Sequence, residues 1–165
     1  MGSGYHGGFG DTLGKNYLYK NGRQNYIGAN YTKEQLLESI EGKTKQATKI
    51  ANLIRNGRIL MSVIGNELFD RAFGVNSNVI GLAIENKIYL RRDSISIYSD
   101  MIHEGTHALD YTNGIEFNEI SSYEGEVRAF KAEHEFQKAV GIKPDFKNEE
   151  EIKVYVLVNY GKKGR

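Results

Sequence analysis

The run Met101–Asp110, MIHEGTHALD, constrains this chain more than any other stretch, because it holds His103, Glu104 and His107 in the spacing H-E-x-x-H. Residues four apart on a helix lie one above the other, so both imidazoles would project from one face with their roots about 6 Å apart. Two neutral ring nitrogens so placed can bind one Zn²⁺, each at about 2.0–2.1 Å. Glu104, next to the first histidine, is positioned to take a proton from a water activated by that ion. Half of the chain's 4 histidines fall in this run. A fold that uses the motif must therefore keep it helical and rigid.

The surroundings predict that helix. Across Ser96–Tyr111, one broad apolar face carries Ile97, Met101 and Ala108 with the adjacent row Tyr98, Ile102 and Leu109, while His103, His107 and Asp110 share another face. Asn113-Gly114 supplies a helix stop, and Asp93 or Ser94 offers a capping oxygen ahead of it. A catalytic zinc takes three protein ligands and keeps one position for water, so a third donor has to come from elsewhere. Ser121–Lys138 reads as a second helix, and it carries two candidates, Glu124 and Glu126. They point about 200° apart on a helix, so only one can face the ion.

With eighteen residues between His107 and Glu126, the stretch Ile97–Phe136 resembles the gluzincin branch of the zincin metallopeptidases. The resemblance implies His103, His107 and Glu126 as the metal ligands and Glu104 as the general base. It departs from the thermolysin-like pattern at Phe130, where an acidic residue would support a zinc histidine. Asp110 or Glu133 would have to take that part. A metzincin site is disfavoured, since it would need Gly at Asp110 and His or Asp at Asn113.

The rest of the chain predicts an α+β fold, with a small mixed or antiparallel sheet packed on the motif helix and on a second helix that carries the third ligand. Residues 1–30 are rich in Gly and Tyr and read as a linker or N-terminal extension, with 31–165 as the zincin-like domain. Thr32–Arg55 reads as a helix that Gly42 can divide, Arg58–Ile64 as a buried strand, and Asn66–Phe73 as a short helix. Val79–Glu85 and Lys87–Arg91 flank Asn86 as a hairpin, either strand of which could align a substrate peptide. Asn148 followed by three glutamates starts a helix, although Ile152–Val158 has strand-like composition.

Composition removes other classes. A net charge of +1 gives no global attraction to nucleic acid or membrane, the absence of cysteine rules out thiolate metal sites and disulfide scaffolds, and no apolar run is long enough to span a bilayer. The expected activity is zinc-dependent hydrolysis of peptide bonds in a protein or peptide substrate. Tyr123 and His134 are candidates to stabilise the transition state, with Tyr111 and Arg128 behind them. A non-catalytic binding module of the same fold is the alternative. The Gly-rich lead into a catalytic-type module also resembles the junction before C-terminal toxin domains of bacterial polymorphic toxins. That resemblance implies a secreted or delivered effector, part of a larger chain, with a cognate inhibitor or immunity protein as partner.

Overall fold

Why does the motif helix lie inside rather than on the surface? The structure, a computed structural model, describes residues 6–7, 17–20, 23–26, 31–73, 79–94, 96–115 and 119–160. Among these, helix α4 (Ile97–Thr112) is buried from Ile97 through Leu109. Helix α2 (Lys45–Arg55), helix α5 (Glu119–Val140) and the sheet all pack on it. Both faces named from the sequence are therefore covered.

The sheet is mixed. Strands β5 (Val79–Ile84) and β6 (Lys87–Arg91) form the expected hairpin, and β4 (Leu60–Ile64) joins β6 in parallel, with Leu60 opposite Lys87 and Ile64 opposite Arg91. β6 is therefore interior, and β5 lies towards one edge. A two-residue strand β1 (His6–Gly7) pairs with β5, and β2 (Tyr17–Lys20) with β3 (Arg23–Tyr26) makes a separate hairpin. The stretch expected as a linker or extension thus contributes three short strands. Its signal was Asn21-Gly22 between two Tyr-containing runs, a strong hairpin dipeptide.

Helix ends follow local chemistry. α1 (Lys33–Ile40) starts with a capping box in which the Gln35 amide donates to Thr32 Oγ1 (3.1 Å) and the Thr32 amide to Gln35 Oε1 (2.8 Å). The chain breaks at Gly42, whose φ of 80° a side chain would strain, before α2 begins at its Thr44 cap. α3 (Asn66–Phe73) is tied to β6 by Arg91, which donates to Asp70 Oδ1 at 2.6 Å and lies 4.6 Å from the centre of the Phe69 ring.

The cap expected for α4 differs. Its N-cap is Ser96, which makes no side-chain cap bond; the Ser94 and Ser96 hydroxyls instead donate to buried Asp100, at 2.5 and 2.9 Å. An acid in the first turn favours the helix dipole, and the two hydroxyls stand in for water around it.

α6 (Glu149–Asn159) resolves the ambiguity of its composition. Asn148 accepts from the Glu151 amide at 3.0 Å, and the buried residues are Ile152 and Val156, four apart. Helical spacing of the anchors overrides the strand preference of the β-branched run.

One glycine fixes how closely the layers meet. A Cβ at Gly105, inside the motif, would lie 2.7 Å from Cγ2 of Ile50 on α2. Gly105→Ala is expected to destabilise the protein by about 1–3 kcal/mol, the usual cost of overpacking, read as a lower denaturant midpoint at unchanged m-value. Unchanged stability would mean that α2 is free to shift.

Candidate metal centre

His103 and His107 project from α4, and Glu126 reaches them from the facing helix α5. His103 Nδ1 donates to Glu133 Oε2 across 2.6 Å, which leaves the lone pair of Nε2 directed into the cluster. That Nε2 lies 3.3 Å from Nε2 of His107 and 3.1 Å from Oε1 of Glu126, and His107 Nε2 lies 3.2 Å from Glu126 Oε2. These four atoms lie within hydrogen-bonding distance of one another, so repulsion between their lone pairs has to be relieved by something shared between them. A proton can do this, and so can a metal ion.

The spacing also suits an ion. Ligands held 2.0–2.1 Å from a tetrahedral Zn²⁺ are separated by about 3.3 Å, and the separations here, 3.1–3.3 Å, lie at or just below that value. His103, His107 and Glu126 together could hold a metal ion, all three being buried. The buried Glu126 carboxylate faces both rings, one oxygen to each, and is the kind of acceptor that a cation completes. Burial alone would raise the Glu126 pKa; the charge of His107 and hydrogen bonds from His103 and His107 outweigh it and hold it at about 2.

Glu104 is outside that ligand group and differs from it in kind. Its carboxylate is fully buried and neither oxygen has a hydrogen-bond partner. Burial, then the charges of Glu126, Asp100 and Glu133, push its pKa well above the usual carboxylate range. An unsatisfied buried polar group costs about 1–3 kcal/mol. The apolar packing around α4, from Ile50, Ile88, Leu90 and Ile102, can carry that cost at about 1.5–3 kcal/mol for each buried side chain. A buried carboxyl whose pKa is raised holds a proton more readily than an exposed one, which suits it to moving a proton.

The sheet makes room for this acid. A Cβ at Gly81 on β5 would stand 3.0 Å from both Cγ and Oε2 of Glu104. β5 therefore runs directly over the carboxylate, and Gly81 is a site residue that the motif does not reveal.

The remaining candidates are dispersed. Glu124 is exposed, on a different side of α5 from Glu126. Asp110, named as a possible support for a histidine, instead accepts from Arg128 at 2.8 and 3.1 Å, which clamps α4 to α5 and engages Arg128. The support falls to Glu133. Tyr111 is half exposed near the end of α4, and Tyr123 packs against the cluster around Phe130. His134 is buried but does not belong to the three-residue group.

Tyr160 was missed. It lies by Phe130, whose ring centre is 4.5 Å from that of His103, and burial followed by the charge of Glu126 raises its phenol pKa. Nothing local in the sequence marks it, because the fold brings it in from the end of α6.

Glu133→Gln is expected to weaken zinc affinity by about 10- to 100-fold, as losses of such outer supports do. Competition with a chromophoric chelator measures it; unchanged affinity would show that His103 needs no acidic partner.

The chain matches no protein-family model, no curated protein and no solved structure. Among the described residues, no helix is long and apolar enough to cross a membrane.

Proposed function

We propose that this chain is a zinc-dependent metallopeptidase of zincin type, with His103, His107 and Glu126 as ligands and Glu104 as general base. The observation that carries the reading is a buried carboxylate without partners, Glu104, set beside three side chains whose donor atoms converge at the spacing of one tetrahedral ion. Bound there, zinc would supply Lewis acidity and a water of lowered pKa. Glu104 is the residue that would take the proton of the attacking water and return it to the leaving amine. Glu133 holds the His103 ring so that Nε2 faces His107 and Glu126, where it would be available to the ion. Burial on α4 keeps bulk water away from Glu104, so that its proton goes to the reacting atoms. Tyr160 joins Tyr123 and His134 as a candidate donor to the oxyanion. A toxin or effector role, with an immunity protein as partner, rests on the arrangement of the sequence alone.

The test is digestion of a broad peptide mixture by the zinc-loaded chain, read by mass spectrometry. Discrete cleavages that a chelator stops and zinc restores are expected. Intact peptides in both states, from protein that retains stoichiometric zinc, would overturn the reading in favour of a binding module.

A further inference from the structure

The outer face of α6 is apolar where a solvent-facing helix is ordinarily polar. Val154, Leu157 and Val158 are 60, 46 and 67 % exposed, three of the seven large apolar side chains exposed among the described residues. Spaced i, i+3 and i+4, they form one stripe, turned away from the buried anchors Ile152 and Val156. Apolar side chains scattered singly over a surface need no explanation, whereas a contiguous stripe marks a place of contact.

The stripe runs into an open groove of about 590 Å³, lined by Val154 and Val158 together with Phe146 and Tyr155. The two rings are fixed. Their centres lie 5.4 Å apart, and they pack on Phe130 at 5.7 and 5.5 Å respectively. An occupant therefore meets a preformed surface and does not have to order it.

Charge selects the occupant. Asp145, Glu150 and Glu151 also line the groove, and no lysine or arginine does, although the whole chain carries a net charge of +1. Glu150 and Glu151 precede Val154 by one helical turn, so the carboxylates stand at one end of the apolar stripe. Glu149 beside them is engaged by Lys131 and Lys153, whereas Glu150 enters no ion pair among the described residues. Such a rim repels an anionic lipid surface, which favours a protein over a membrane.

We propose that this groove docks a partner protein through an amphipathic helical segment. Its apolar side chains cover Val154, Leu157 and Val158, and its lysines or arginines meet Glu150 and Glu151. Helices seat in apolar grooves through anchors at i, i+3, i+4 and i+7, the spacing that the stripe itself presents. Because the carboxylates lie at one end, they also set the direction of the bound segment. No residue of the metal centre takes part, so this docking surface stands whether or not the chain is a peptidase.

The test uses the full chain and two fluorescent helical peptides of about fifteen residues, a length that covers α6. Both carry the same leucine face; one has lysines at the end that meets Glu150, the other glutamates. The lysine peptide is expected to bind at least about tenfold tighter than the glutamate peptide, by a margin that shrinks as salt rises. Val154→Ser with Val158→Ser should weaken its binding more than about tenfold, and Glu150→Lys about fivefold. Serine matches valine in helix propensity and both sites face outward, so α6 is retained, as circular dichroism would verify.

Equal binding of the two peptides, or equal binding by the parent and the serine variant, would overturn the proposal. Two other occupants would overturn it as well. A concentration-dependent dimer of the parent that the serine variant abolishes would assign the face to a second copy of this chain. Peptide binding that tightens after Lys162→Ser with Lys163→Ser and Arg165→Ser would assign it to the basic residues that follow α6.

Discussion

Replacing Glu104 with glutamine is expected to reduce peptide hydrolysis by about 100- to 10,000-fold, the range that general acid-base catalysis contributes, while zinc stays bound. The two halves of that result come from separate observations. Glu104 is not among the three side chains whose donor atoms converge, so the ion loses no ligand. Its carboxylate is buried without a partner, so the neutral amide gives up no hydrogen bond and keeps nearly the same shape. What disappears is the ability to take a proton. Stability should not fall, because an amide avoids burying the charge that Glu126, Asp100 and Glu133 oppose. Single-turnover hydrolysis with parallel zinc analysis separates the two effects. Full activity in the variant would remove Glu104 as the base, and loss of zinc would make it a ligand.

Glu126→Ala is expected to weaken zinc binding by more than about 100-fold, since removing a ligand must exceed the 10- to 100-fold cost of removing an outer support. Glu124→Ala should leave it unchanged. The pair isolates position on the helix from charge, for both variants delete one carboxylate from α5 within two residues of each other. Glu126 sits 3.1 Å from His103 Nε2 and 3.2 Å from His107 Nε2, whereas Glu124 faces solvent. Zinc titrations on the two variants decide the matter, and equal losses would show that net charge, not ligation, sets the affinity.

Much of this site was legible in the chain. Four-residue spacing on an apolar helix placed His103 and His107 together, and the opposed directions of Glu124 and Glu126 meant that only one could join them. Glu133 was one of two named supports; choosing it over Asp110 needed the position of Arg128, which engages Asp110 from the next helix. Helices α1, α2 and α6 could be read from their caps and periodicity, whereas the cap of α4 differs and β4, expected as a buried strand, lies at the sheet edge with Leu60 47 % exposed. Asn148 and the four-residue spacing of Ile152 and Val156 explain why even the β-branched run is helical.

The parts that escaped are those set by contacts distant in sequence. Gly81 is ordinary within a hairpin strand until α4 packs beneath it, and Tyr160 reaches the centre from the end of α6, beside Phe130. Pairing of His6 with Gly81 joins distant parts of the chain and involves two residues, too few to leave a periodic signal. The hairpin at 17–26 was a different case, since Asn21-Gly22 was visible but lay within a glycine-rich stretch that reads as a linker.

The central claim is that two histidines of α4 and one glutamate of α5 share a single ion with a position left over. X-ray absorption at the zinc edge on the stoichiometrically loaded chain measures this most directly. Two imidazole nitrogens and one carboxylate oxygen at about 2.0–2.2 Å, with one further light atom that exchanges with solvent, are expected. Four protein ligands, a third imidazole, or a spectrum unchanged by Glu126→Ala would contradict it.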